Sequence, residues 1–459
     1  MPAENNTKAR LVSGPVSNGL MRLTVPMILG ISSSIIAGLI ETWYLSQLGT
    51  TTVAAYSFTF PVTSSLMSLS LGISIGVSSV LARTIGRGDS GKVKRIATDG
   101  IRLVAIVMIL LSIIGLQTIE VVFNLLGADE TTMPLIQEYM GIWYFSMLFL
   151  AIPSVGANAL RATGDAKISG TIMVGGSILQ VALGPFLIFG WLGLPELGIK
   201  GAAIANLIAR FSLFLITMYI LAFKEHLLDY HDMKLSEVLD SWRQIFTVSI
   251  PATATQLISP ISTAIIVSLL AGYSQETVAG FGIASRIEGL FVIPLFALSA
   301  SIGPYVGQNW GGGYLQRANE AMLLSFKYSL GWGFLVAIAL ILFSSNIASL
   351  FDDNPEVVAV AASYLMIVPI SYGAWGVLMM SSATFNSLGK PISSTIMSIV
   401  RMFVIYIPLA YLGKLLFGYP GIFAAACISN ALMGALAYAW NRKTYLPEIQ
   451  AMSSAGVRE

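Results

Sequence analysis

Twelve long apolar segments, separated by short charged or Pro/Gly-marked breaks, divide this chain of 459 residues. A helix that crosses a bilayer needs about 20 mostly apolar residues, and each segment is at least that long. The segments therefore predict an all-α polytopic membrane protein. They lie near 21–46, 53–83, 101–127, 132–160, 168–194, 198–223, 242–272, 277–310, 323–350, 357–386, 392–418 and 419–445.

The scarcity of charge supports this class and excludes others. Only 10% of the residues are Asp, Glu, Lys or Arg, whereas a soluble domain has about a quarter. The net charge of +2 is too small for a nucleic-acid-binding face. With a single cysteine, Cys427, and only two histidines, His226 and His231, we expect no disulfide framework, no metal site and no resident cofactor.

The basic residues predict the orientation in the membrane. With twelve spans, both termini lie on one side, and 20 of the 25 Lys and Arg residues fall on that side. The opposite side has only Lys200 and Lys414, while Arg210, Arg286 and Arg401 fall inside or near the ends of spans. The positive-inside rule therefore places both termini in the cytoplasm, in a multi-pass protein of the cell inner (plasma) membrane.

The two halves of the chain repeat each other at a nearly constant offset. A shift of 225 positions aligns Pro26 with Pro251 and Gly164 with Gly389. We therefore divide the chain into an N-terminal six-helix lobe (1–223), a cytoplasmic linker (224–241) and a C-terminal six-helix lobe (242–459). Paired bundles of this kind are typical of secondary transporters that work by alternating access.

The energy source follows from what the sequence lacks. It has no GxxxxGK[ST] phosphate-binding loop, so an ion gradient or a separate subunit must drive any uphill transport. Ionisable residues within spans are then the candidates for coupling, because a charge in hydrocarbon is costly. Four glutamates qualify. Glu120 and Glu138 flank an outer loop and fit water-facing positions, and Glu288 fits a cavity role or an ion pair with Arg286. Glu41, deep in the first span with no cation nearby in sequence, is the strongest.

The neighbours of Glu41 suggest how it could act. Pro26 precedes it on the same predicted helix, and an interior proline lets a helix bend, although a first-turn position would be without consequence. A lone carboxyl on a bendable helix suits a proton switch. Tyr44 is three residues from Glu41 and shares its helix face, where an aromatic ring could contact a cationic substrate.

Three polar residues lie in other spans of the first lobe. They are Asn158, Gln180 and Asn206. Each fits either a transport site or an interhelical hydrogen bond, which is worth about 1 kcal/mol or less.

Several long motifs, in order, make the chain similar to the multidrug and toxic compound extrusion (MATE) transporters from about residue 18 to 445. They are ETWYLSQLGTTTVAAYSFTFPV, GISIGVSSVLARTIGRGD, ANALRATGDAKISGTIM, VAGFGIASRIEGL, SIGPYVGQNWGGG and SYGAWGVLMMSSATFNSLGKP. The resemblance implies two six-helix bundles around a V-shaped cleft. It also implies a monomer that exports amphipathic, mostly cationic drugs or toxic compounds in exchange for H⁺ or Na⁺.

The chain departs from the pattern of the family at the coupling site. Glu41 stands where members usually carry Asp. The Asn-x₃-Asp-Pro pattern of the fifth helix falls on Gln180 and Gly184, so one acid is missing, and the Thr of the sixth helix falls at Asn206. Ser259 lies near the place of an acid on the seventh. Na⁺ prefers several oxygen ligands, whereas a proton needs one carboxyl, so we favour H⁺ coupling through Glu41, Gln180 and Asn206.

Other functions remain open at this point. A flippase or an exporter of a lipid-linked or polar metabolite could use the same fold, and it would line its cavity with cations, for which only Arg210, Arg286 and Arg401 qualify. An intramembrane enzyme would need paired acids, a Ser/Lys pair or a metal set within spans, and a channel would need a filter. The sequence shows none of these, so we expect a transporter and not an enzyme.

Overall fold

The computed structural model describes residues 9–229 and 234–454, and nearly all of them are helical. His231 and part of the predicted linker lie outside the described residues. The α-helices are α1 (Val16–Ser46), α2 (Thr50–Arg87), α3 (Ser90–Leu125), α4 (Met133–Ala162), α5 (Ala166–Ile188), α6 (Gly198–Tyr219), α7 (Leu235–Ala271), α8 (Gln275–Phe291), α9 (Ile293–Gly311), α10 (Leu315–Ala348), α11 (Pro355–Ile367), α12 (Tyr372–Ser387), α13 (Pro391–Ile399), α14 (Ile407–Phe417) and α15 (Tyr419–Ser454).

The predicted spans are recovered within the described ranges. Eleven helical runs are long and apolar enough to cross a membrane, among them α11–α12 and α13–α14 as continuous runs. The twelfth is the pair α8 and α9, which meet at an angle of 48°. Each run overlaps one of the twelve predicted segments. The fifth stops earlier than predicted, at Ile188, because Gly190 takes a left-handed conformation with φ 71° and turns the chain.

Prolines account for the irregular turns inside two of these spans. A short 3₁₀ turn, Val368–Ser371, joins α11 to α12 and contains Pro369. A π-helical turn, Val400–Tyr406, joins α13 to α14 and is followed by Pro408. Proline lacks a backbone N–H and clashes with the carbonyl four residues earlier, so the chain changes its hydrogen-bond pattern at these points instead of ending the span.

The chain forms two compact units. The first comprises residues 25–249 with Ala9, and the second comprises residues 10–24 and 250–454. Along α1 the chain passes from the second unit to the first at Val25, and along α7 it passes from the first to the second at Ile250. Pro26 and Pro251, which the repeat aligns, directly follow these two residues. Pro26 is ten residues into α1, so it is an interior proline and the first-turn interpretation was wrong. Both helices can therefore bend where they pass between units.

Within the first unit, α4 is the central helix and packs against α2, α3 and α6, while α5 packs on α6. Its core contains large side chains such as Phe123, Tyr139 and Trp143. Because α5 and α6 are neighbours and α1 belongs to the same unit from Val25 onward, side chains from these three helices can meet.

In the second unit, α12 packs against α9, α10 and α15, and α8 packs against α11. The hairpin of α14 and α15 is held at backbone distance. A Cβ atom added to Gly421 would lie 2.1 Å from the carbonyl oxygen of Gly413. Only glycine permits two helices to approach so closely.

The loop between α3 and α4 is organised by the exposed carboxylate of Asp129. Its Oδ1 accepts hydrogen bonds from the backbone and the hydroxyl of both Thr131 and Thr132, at 2.8–3.2 Å. The Thr132 hydroxyl and backbone bonds, followed by those of Thr131, lower the pKa of Asp129 to about 2.

The charged form of Asp129 is thus favoured by the fold, and this predicts a pH dependence. The stabilisation is present above an unfolded pKa of about 4 and is lost as the pH falls toward about 2. We expect Asp129→Asn to lower the thermal midpoint at pH 7, and the difference from the unsubstituted protein to shrink in acid. A difference independent of pH would contradict this. The matched control is Glu130→Gln, next to it in the same loop.

Candidate functional site

Glu41 is a buried acid on α1, with 8% of its surface exposed, and two amides hold its carboxylate. The Nε2 atom of Gln180 on α5 donates to Oε2 at 2.8 Å, and the Nδ2 atom of Asn206 on α6 donates to Oε1 at 2.6 Å. The three residues predicted as the coupling set are therefore in direct contact. Each carboxylate oxygen has one neutral donor.

No ion pair neutralises Glu41 in the part of the chain that the structure describes. The nearest basic residue along α6 is Arg210, one helical turn beyond Asn206 and on the same face. Arg210 donates instead to the hydroxyl of Ser146 at 2.6 Å and lies 5.3 Å from the ring centre of Trp143. A carboxylate held by amides can gain or lose a proton without breaking a salt bridge.

Tyr44 fills the place left by the acid missing from α5. A Cβ atom on Gly184 would lie 2.6 Å from the Cε2 atom of Tyr44, and the Tyr44 hydroxyl donates to the carbonyl of Val181 at 3.3 Å. The ring thus lies directly on the backbone of α5. An aspartate at position 184 would require the ring to move, so the departure of Gly184 from the family pattern and the presence of Tyr44 are linked sterically.

A small cavity lies beside the carboxylate. It is lined by Ala37, Glu41, Tyr44, Gln180, Val181, Gly184, Ile188, Ala202 and Ala205. The space open to a water-sized sphere is about 10 Å³, roughly what one water molecule requires. The site has room for a proton carrier, and a drug-sized molecule would have to bind elsewhere.

Asn158 and Pro26 lie away from this group. The Asn158 side chain donates to the carbonyl of Ser154 on its own helix, α4, at 2.9 Å. Pro26 is 15 residues before Glu41 on α1, which is about 22 Å along a helix. The carbonyl of Pro26 packs against Gly170 of α5, where an added Cβ atom would be 2.5 Å away.

Glu288 lies in the second unit, where two tyrosines hold it. The hydroxyls of Tyr364 and Tyr372 donate to its Oε2 atom at 2.6 and 2.9 Å. The alternative of an ion pair with Arg286 is wrong, since Arg286 is exposed and residues two apart on a helix do not face each other.

The outer acids Glu120 and Glu138 are exposed, as expected for water-facing positions. Glu120 accepts a hydrogen bond from Gln137 at 2.8 Å. Because both acids are exposed, their substitution is a useful control for substitution of the buried Glu41.

The sequence analysis missed the aromatic residues around both buried acids. A shift of 225 aligns Tyr139 with Tyr364 and Tyr56 with Phe281. In the first unit Tyr56 contacts Tyr139 edge to face, with ring centres 5.4 Å apart, and in the second Phe281 contacts Tyr364 in the same way at 5.6 Å. The repeat contained this signal, because an aromatic pair that recurs at the same offset marks equivalent positions in the two units.

Comparison with known proteins shows the family. The MatE family model matches residues 26–186 and again residues 251–412, together more than half of the chain. The chain belongs to the MatE family. The two matched ranges begin at the aligned residues Pro26 and Pro251, in agreement with the repeat.

Individual relatives of this MatE-family chain carry different names. It is 36% identical over 428 residues to a protein of Shewanella oneidensis named FAD transporter, covering 93% of this chain and 95% of that one. It is 25% identical to the probable multidrug resistance protein YoeA of Bacillus subtilis, covering 88% and 89%. The Vibrio cholerae MATE transporter VcmN in the bent form gives a TM-score of 0.89 at 28% identity, covering 94% and 98%.

These findings confirm the predicted family and the all-α, two-lobed fold. The chain is a multi-pass membrane transporter of the multidrug-exporter type and not an enzyme, and its substrates are small molecules.

Proposed function

We propose that this transporter exchanges inward H⁺ for outward amphipathic, mostly cationic drugs or toxic compounds, with Glu41 as the coupling acid. The observation that carries the proposal is the Glu41 carboxylate, buried within a span and bound by the amides of Gln180 and Asn206. A buried acid in a membrane helix is functional by default, because its cost must be offset by a use.

The amide pair suits a group that changes its charge. An amide nitrogen donates to a carboxylate, and after a half-turn the amide oxygen accepts from a protonated carboxyl. Gln180 and Asn206 can therefore bind both forms of Glu41. Protonation removes the charge from α1, and a helix with an interior proline at position 26 can then bend against α5, against which Tyr44 is packed.

The same geometry favours H⁺ over Na⁺. A hard cation prefers several oxygen ligands, and Glu41 is the one carboxylate in the set of Glu41, Gln180 and Asn206. The adjoining space admits about one water. We propose no resident cofactor, and the coupling ion is H⁺, with Na⁺ as the alternative.

Transport into proteoliposomes with the two gradients imposed separately tests the coupling. We expect a pH gradient alone to drive uptake of a cationic dye, and an uncoupler to abolish it. A Na⁺ gradient without a pH gradient should drive none. Uptake driven by Na⁺ alone would overturn H⁺ coupling while leaving export itself intact.

We further propose that the chain is a monomer in the cell inner membrane with both termini cytoplasmic. The orientation rests on the distribution of 20 of 25 basic residues, and the monomer rests on the resemblance to the family. A reporter fused to the C-terminus that is active only in the cytoplasm checks the orientation, and activity on the opposite side would refute it.

A second candidate substrate is FAD. The S. oneidensis relative named FAD transporter is 36% identical and aligned over 93% of this chain, and this corresponds to the polar metabolite considered above. Each unit has one arginine within a span, Arg210 in the first and Arg401 in the second, and each by itself is a candidate contact for a phosphate group. Proteoliposomes loaded in parallel with FAD or with a cationic dye distinguish the candidates, since only the true substrate will stimulate H⁺ exchange.

Substitution of Gln180 and Asn206 distinguishes a role in coupling from an ordinary hydrogen bond between helices. We expect Gln180→Leu or Asn206→Leu to reduce pH-driven efflux by about tenfold, because one oxygen of a buried carboxylate loses its donor at a cost of about 1–3 kcal/mol. The matched control is Asn158→Leu, which removes an amide bonded to its own helix. Equal effects of all three variants would contradict a special role for the amides at Glu41.

A further inference from the structure

A second, larger groove lies between α5 and α6 in the first unit. It has room for about 490 Å³, and its walls are mainly apolar, among them Leu179 and Ile216. It is distinct from the water-sized cavity at Glu41, with which it shares no lining residue. A groove of this size between two membrane helices needs an occupant.

The charge at one end of the groove identifies the chemistry of that occupant. Lys167, the second residue of α5, and Lys224, the last residue of the π-helical turn after α6, both line it and are exposed. No residue among those lining this described groove is acidic. Two ammonium groups beside apolar walls complement an anionic head joined to an apolar tail.

The depth of the groove matches one leaflet. From Lys167 to Leu179 is twelve residues of helix, about 18 Å, and half of a hydrocarbon core is about 15 Å. Within this length Gly175 contributes no side chain to the wall of the groove, and a Cβ atom added there would have nothing within 4 Å. The repeat aligns Lys167 with Ile392, so the equivalent position of the second half is uncharged.

We propose that this groove binds one anionic phospholipid, such as phosphatidylglycerol, with its phosphate between Lys167 and Lys224 and an acyl chain along α5 and α6. Basic pockets between membrane helices on the cytoplasmic side bind such headgroups, and the proposed orientation places both lysines on that side. Because α5 carries Gln180 and α6 carries Asn206, the lipid also supports the spacing of the amides that hold Glu41. This last step rests on the proposed function.

Lipid retention by the purified full-length protein tests the binding directly. The protein is taken from bilayers containing equal phosphatidylglycerol and phosphatidylcholine, and the co-purifying lipids are measured. We expect a preference for phosphatidylglycerol that falls about fivefold for each lysine removed in Lys167→Gln and Lys224→Gln. The control, Lys327→Gln with Lys443→Gln, removes the same charge elsewhere and should keep the preference.

A further variant, Gly175→Phe, fills the open wall without changing charge. We expect it to fold and to retain less phosphatidylglycerol. Equal retention of both lipids by the unsubstituted protein, or an unchanged preference after loss of both lysines, would overturn the proposal. Displacement of the lipid by inorganic phosphate alone would instead indicate a free-phosphate site and also overturn it.

The binding assay is independent of transport. Glu41→Gln should retain phosphatidylglycerol like the unsubstituted protein even if it transports nothing. Failure of the lipid site and failure of the coupling proposal are therefore separately observable.

Discussion

We expect replacement of Glu41 by Gln to abolish substrate efflux driven by a pH gradient. Gln has nearly the same shape and can still bond Gln180 and Asn206, but it cannot release a proton. We expect the initial rate of pH-driven efflux to fall at least about a hundredfold, because the variant loses the one carboxyl that the described residues place at this site. The measurement is dye efflux from proteoliposomes with an imposed pH gradient.

Two controls separate coupling from folding. The exposed acids Glu120 and Glu138, each changed to Gln, should leave the rate within about twofold, as surface substitutions usually do. Glu41→Gln itself should still exchange labelled for unlabelled substrate at equal pH, since that reaction needs no net proton movement. Normal pH-driven efflux by Glu41→Gln would refute Glu41 as the coupling acid.

The second large effect is structural. Gly421→Leu should prevent the second unit from folding, because its Cβ atom would lie 2.1 Å from the carbonyl oxygen and 2.5 Å from the carbonyl carbon of Gly413. Backbone on both sides cannot yield without separating α14 from α15. We expect a loss of more than about 3 kcal/mol of stability, measured as loss of folded protein in detergent and a lower thermal midpoint.

The matched control for the hairpin is Gly282→Leu on α8. A Cβ atom there has nothing within 4 Å, so the larger side chain should be accepted with a stability change of less than about 1 kcal/mol. If Gly421→Leu were as stable as Gly282→Leu, the close approach of α14 and α15 could not be what holds this hairpin.

Prediction of the spans from sequence succeeded for a physical reason. In hydrocarbon every backbone polar group must be bonded internally, so a long apolar run has little choice but a helix. The same constraint does not show where a span bends or where its helix becomes irregular. The bend between α8 and α9, and the irregular turns before Tyr372 and Ile407, depend on local hydrogen bonds that hydropathy does not report.

The three residues at the Glu41 site were predicted as a set, but the hydrogen bonds between them were not. Glu41 stood out as an acid deep in a span, and the resemblance to the MATE family placed Gln180 and Asn206 beside it. Asn158 fitted the same criterion, yet its amide bonds its own helix. An amide in an apolar segment shows that a hydrogen bond is needed, and only the packing shows with which partner.

Sequence alone determined the membrane class, the twelve spans, the repeat and the presence of an acid deep in the first span, since each can be read from charge, apolar length and position along the chain. The tertiary structure decided the rest. Among the described residues it showed that two amides and no ion pair hold the Glu41 carboxylate, that the Tyr44 ring occupies the space above Gly184, and that Glu288 bonds two tyrosines instead of Arg286. These are contacts between helices far apart in the chain, and they depend on how each helix is rotated and how closely it approaches its neighbour.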